Sequence, residues 1–153
     1  MIGVRLLLLL SLAACSTGEE LTILSPRDIG IALPRGTRAD EPATQKLFGA
    51  IESPGKLRWV YRHCASSALV LTLPHASRDA VLASWQRQPG WTHIATKGLT
   101  DELTRPTRDG FVELLVMPEI ERLDGAEVDP IEQDLVLTYP DDLVVIALAG
   151  RCS

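Results

Sequence analysis

The 153-residue chain is short of most features that announce a function. Its leucine-rich stretch, residues 6–14, has nine residues, whereas a helix that crosses a bilayer needs about 20. That excludes a membrane span there. There is no G-x-S-x-G elbow, no H-E-x-x-H, no G-x-x-x-x-G-K and no G-x-G-x-x-G, so the local signatures of serine hydrolases, zinc proteases and nucleotide-binding folds are missing. Serines 66, 67, 77 and 84 and histidines 63, 75 and 93 make a catalytic set only if the fold gathers them. The three tryptophans, two tyrosines and two phenylalanines are few enough that core packing is their expected use. A net charge of −5 argues against nucleic acid as a partner.

What is present begins at the N-terminus. Arg5 supplies a basic residue, residues 6–12 an apolar run, and Ala13 and Ala14 the small residues that precede Cys15. This arrangement resembles a bacterial lipoprotein signal peptide with its lipobox. The resemblance implies that signal peptidase II cuts between Ala14 and Cys15, and that Cys15 carries diacylglycerol on sulfur and often a further acyl group, such as palmitate, on its new amine. Residues 1–14 are then the cleaved signal, 15–20 the lipidated N-terminus and a short tether, and 21–153 a single domain. Each buried methylene contributes about 0.8 kcal/mol, so two or three acyl chains anchor firmly. Ser16 follows the cysteine where an aspartate favours retention in the inner membrane, so the resemblance implies the outer membrane, facing the periplasm.

Assigning Cys15 to lipid leaves Cys64 and Cys152 as an even pair in an oxidising compartment. The expected disulfide closes a loop of roughly 90 residues, for which chain entropy gives about 4–5 kcal/mol. It also predicts that the strand ending at residue 63 and the one ending at 149 finish at one edge of the fold, as parallel neighbours. Two free thiols, or half a metal site, are the competing readings.

Charge is unevenly spread. Residues 56–100 carry six basic side chains (Lys56, Arg58, Arg62, Arg78, Arg87, Lys97) against Asp79, while 101–142 carry thirteen acidic ones against Arg105, Arg108 and Arg122. Either neighbouring elements neutralise one another, or the domain presents two charged faces and docks an envelope partner, with Arg58 and Arg62 as the docking residues.

Periodicity supplies the elements. Residues 29–33 read as a strand and 35–41 as a polar loop. Pro42 opens a helix whose face holds Leu47, Phe48 and Ile51. Residues 57–63 alternate as a half-buried strand with Arg58 and Arg62 outward; 68–73 is apolar throughout, as in a strand covered on both sides. Ser77 caps a helix striped by Val81, Leu82 and Trp85. Strands follow at 91–97 and 111–117, with a polar, turn-rich 101–110 between them. Residues 135–139 and 143–149 flank Pro140-Asp141-Asp142 as a hairpin. The expectation is an α+β domain, two helices packed on a largely antiparallel sheet.

Metal ligation is weakly signalled, by His63 and Cys64 with His75 or His93, by His75 four residues before Asp79, and by the acidic run from Glu119 to Asp134, which lacks calcium-loop spacing. No cofactor is expected. The function implied is a non-catalytic binding or assembly module of the envelope, held on the membrane by lipid. A periplasmic enzyme, or a metal- or ligand-binding protein with a site assembled from distant residues, is the alternative.

Overall fold

In the computed structural model, which describes residues 21–52, 65–95, 100–123 and 129–151, the most apolar stretches become the central strands of one sheet. β3 (Ala65–Pro74), β7 (Asp142–Gly150) and β6 (Gly110–Val116) lie side by side and antiparallel. β3 and β7 pair from Ala65 opposite Gly150 to Pro74 opposite Asp142, with an irregularity between Ala65 and Ser67. Alternate residues feed two cores. Leu69, Leu71 and Leu73 join Leu114, Val116, Val145 and Ala147 on one face. Ala68 and Val70 join Leu115, Ile146 and Leu148 on the other. A strand buried on both sides has no polar side to show, which is why 68–73 reads as a continuous apolar run.

Helices cover both faces. α1 (Pro26–Ile29) and α3 (Arg78–Gln86) close the first core with Ile29, Val81, Leu82 and Trp85. α2 (Glu41–Glu52) and α4 (Pro130–Thr138) close the second with Ala43, Leu47, Phe48, Leu135 and Val136. The fold is the α+β domain expected, and α1 and α4 add two helices to the two legible in the sequence. Ser77 caps α3 by accepting a hydrogen bond from the Ala80 amide.

Three local expectations are corrected. Residues 29–33 are not a strand: Pro26 starts a single helical turn that Gly30 ends at φ 72, a left-handed value natural to glycine. The arginine-rich loop instead contributes β2 (Arg38–Asp40), an edge strand that needs no apolar pattern. Residues 135–139 are not half of a hairpin: 135–138 are the second half of α4 and Tyr139 is its C-cap. Pro130 sits in its first turn, and Glu132 at N3 accepts the Asp129 backbone N–H, one half of a capping box.

The two ends of the sheet differ. β1 (Thr22–Ile23), parallel, and β2, antiparallel, share the outer edge of β3. Beyond β6 come β5 (Asp101–Thr107) and then β4 (Thr92–Ala95), both antiparallel, giving the order β1-β3-β7-β6-β5-β4. β5 corrects the turn-rich reading of 101–110. Its fully buried residue is Leu103, so it carries no apolar face to betray it.

Asp40 ties the second core together. Its Oδ1 accepts the Ala43 N–H at 2.8 Å and caps α2, while its Oδ2 accepts the Tyr139 hydroxyl at the end of α4. Thr44 donates to the Asp40 carbonyl at 2.6 Å and accepts the Val70 N–H of β3 at 2.9 Å. Asp40→Ala removes both the cap and the inter-helix bond, and is expected to lower unfolding free energy by about 1–3 kcal/mol. Tyr139→Phe is expected to cost about 1 kcal/mol. In urea unfolding the double variant should lose less than the sum, because the two share a bond; strict additivity would show that the bond contributes nothing.

Candidate functional site

Every residue singled out in advance as a site residue (Ala14, Cys15, Arg58, Arg62, Cys64 and Cys152) lies outside the described residues, as do Trp59, Tyr61 and His63. Polar groups gather instead at the β4–β5–β6 end of the sheet. Alternation along β5 sends Asp101, Leu103 and Arg105 to the first core's face and Glu102 and Thr104 to the second's.

On the first face Asp101 sits between Arg78 and His93. One carboxylate oxygen pairs with the Arg78 guanidinium of α3, and the other lies 2.8 Å from His93 Nε2 of β4. Arg78 is buried, and this ion pair accompanies the burial of its charge. Here an arginine of the basic segment meets an aspartate of the acidic one, as the neutralising reading expects. Arg105 stacks its guanidinium 5.5 Å from the centre of the Trp91 ring and donates to the Ile29 carbonyl at 3.0 Å. A Cβ at Gly30 would come within 2.6 Å of the Arg105 guanidinium, so glycine serves both the turn and the close approach. Trp85 Nε1 donates to the Ala32 carbonyl at 3.1 Å and fastens the same segment to α3.

The second face carries a carboxyl pair. Glu113 falls in the row of β6 that continues into Leu115, and it is only 5% exposed. Its register partner is Thr104, which places Glu102 diagonally across from it, within side-chain reach. Burial, and then the hydrogen bond to Glu102, push its pKa up to about 9, so at neutral pH Glu113 is a neutral acid. Among the described residues no cation pairs with either carboxyl. Next outward, Ile94 lies opposite Glu102 and is 44% exposed.

Two further features lie elsewhere. Glu132, 1% exposed in α4, is pushed up to about 8 by burial and the neighbouring Asp129. A cleft of about 350 Å³ opens between residues 118–121 and 139–143, and Glu119, Glu121, Asp141 and Asp142 line it. His75 adjoins it at φ 51, its N–H bonded to the Asp141 carbonyl at 3.2 Å. α3 begins at Arg78, so His75 and Asp79 do not share a helix face. Among the described residues no three His, Cys, Asp or Glu side chains converge to hold a metal ion. Ser77 is spent on a helix cap, Ser66 on the Ala149 carbonyl and His93 on Asp101, and among the described residues no serine is hydrogen-bonded to a histidine.

The Arg78–Asp101–His93 cluster and the Glu102–Glu113 pair escape sequence reading because they join residues on separate elements. One signal was available: Glu113 interrupts an otherwise apolar strand. No known protein family, curated protein or solved structure matches the chain.

The raised carboxyls fix the sign of a pH dependence. Above their ordinary pKa of 4.5 the unfolded chain releases protons that native Glu113 and Glu132 retain up to about 9 and 8. Stability therefore falls as pH rises through that window. Thermal unfolding should show Tm declining between pH 5 and pH 8, and Glu113→Gln and Glu132→Gln should each flatten the decline. A Tm equally pH-dependent in both variants would contradict the assignment.

Proposed function

We propose that the chain is a membrane-anchored periplasmic lipoprotein that serves as a non-catalytic binding or assembly module of the cell envelope, held at the outer membrane by acyl chains on Cys15. The observation that carries this reading is the asymmetry of the sheet. β1 starts seven residues beyond Cys15, a distance of at most about 25 Å when extended. It belongs to one end of the sheet, and β4, exposed at Thr92, His93 and Ile94, forms the other. Five strand spacings of about 4.8 Å separate the two, roughly 24 Å. A domain tethered by one end and open at the other suits docking. Among the described residues no helix is long and apolar enough to cross a membrane.

The Cys64–Cys152 bridge belongs to the same proposal. Ala65, bonded to Cys64, pairs with Gly150, two residues before Cys152. That pairing supports the bridge by putting the start of β3 and the end of β7 at the same end of the sheet, while the expected strand at 57–63, and with it the parallel pairing, lies outside the described residues.

Labelled palmitate should enter the wild-type protein and be absent from Cys15→Ala, which should also retain the mass of the uncut signal. Incorporation that survives the substitution would sink the anchor. Thiol labelling of the mature protein should find no free thiol before reduction and two after; two free thiols without reductant would remove the bridge. Crosslinking in the native envelope, with the captured protein identified, tests the docking role. Loss of that partner on reversing Arg58 and Arg62 to glutamate supports it, and turnover of a small molecule with no protein captured would favour the enzyme alternative.

A further inference from the structure

We infer that the outer edge of β4 is the docking site for an extended, basic segment of a partner protein, which joins the sheet as an added strand. The inference rests on the binding-module reading and names a docking surface other than Arg58 and Arg62, with the chemistry of its occupant.

Edge strands of natural sheets are usually blunted by a charged side chain, a proline, a bulge or a covering element. β4 has the sequence Thr-His-Ile-Ala and pairs with β5 residue for residue, from Thr92 opposite Thr104 to Ala95 opposite Asp101, without a bulge. No described strand lies on its other side. The opposite end of the sheet is treated differently, since β1 and β2 both lie along β3. An edge strand directs alternate backbone N–H and C=O groups away from its neighbour, so β4 offers an incoming strand a ready ladder.

Side chains choose the occupant. On the second face an added strand would lie beside Thr92 and Ile94, and Ile94, 44% exposed, offers an apolar contact at the centre. One strand further in are Glu102 and then Glu113, with no cation against them among the described residues. From the added strand to β5 is two strand spacings, about 10 Å, which a lysine or arginine reaching toward Glu102 can bridge. On the first face Asp101 is already paired with the Arg78 guanidinium and bonded to His93, so it does not compete for that charge. The fitting segment therefore has an apolar residue flanked at i−2 and i+2 by basic ones. A second copy fits less well. β4 has no lysine or arginine, and self-pairing through Ile94 sets the two Glu102 side chains on the same face of a chain whose net charge is −5.

The test uses the mature, lipidated chain in detergent micelles, titrated with the peptide Thr-Lys-Thr-Val-Thr-Lys-Thr and followed by amide shifts. Shifts centred on Thr92, His93 and Ile94 are expected, with affinity falling as salt is raised. Replacing both lysines by glutamate, or N-methylating the peptide along one edge, should weaken binding by about tenfold, because the first removes the charge match and the second the ladder. Glu102→Gln should weaken the lysine peptide and spare the rest of the spectrum, which also shows that the variant is folded. Shifts centred on the acidic cleft near Asp141, or an N-methylated peptide that binds equally well, would overturn the edge while leaving a binding module in place. Concentration-dependent shifts at β4 without peptide would overturn it in favour of a second copy. Failure of native-envelope crosslinking to capture any protein would strike the broader reading instead.

Discussion

The antiparallel pairing of β3 with β7, buried on both faces, is the constraint on which the rest of this fold depends. It runs the full length of both strands, and it sets which residues reach each core. One register slip would turn Leu69, Leu71 and Leu73 to the face that receives Ala68 and Val70, so neither core would fill. With the centre so determined, α1 and α3 are confined to one face, and α2 and α4 to the other. The Asp40–Tyr139 bond then fastens the helices of the second face to each other.

Away from that centre the sheet changes character. Leu103 keeps β5 attached to the first core, but its neighbours are charged, and β4 has its described positions in solvent. Charges near the sheet are handled in two ways. Asp101 is met by Arg78 and His93, so that the burial of Arg78 carries its own counter-ion. Glu113 and Glu132 are met by no cation among the described residues and take up protons instead. The fold thus tolerates acids within the second core's layer at the expense of stability that is lost as pH rises from about 4.5 toward 8 and 9.

Much of the centre is legible in the sequence. The continuous run at 68–73 is β3, the stripe of Val81, Leu82 and Trp85 after Ser77 is α3, and 111–117 closely matches β6. These segments bury apolar residues at a single period, so local pattern and tertiary role agree. Where they disagree the pattern misleads. The last turn of α4 and its C-cap, Leu135 to Tyr139, are apolar enough to pass for a strand, and the helical state is set by Pro130 and the Asp129–Glu132 cap upstream. β5 hides because its partners on both sides are strands, and only one of its residues needs to be apolar. Of the polar groups around β4 only Glu113 leaves a trace, as the break in an apolar strand; the contacts of Asp101 come from α3 and β4 and those of Glu102 from β6.

Function follows from how these ends are used. Under the proposed reading, acyl chains on Cys15 would hold the chain by the end that leads into β1, and the sheet order puts β4 at the other end, so proposed attachment and proposed docking would use different surfaces. The most direct measurement is paramagnetic relaxation in the lipidated protein on bilayer discs that contain headgroup-labelled lipid. Amides of β1 should broaden strongly and those of β4 weakly, in keeping with a separation of roughly 24 Å across five strand spacings. Equal broadening at both ends, or stronger broadening at β4, would contradict the account.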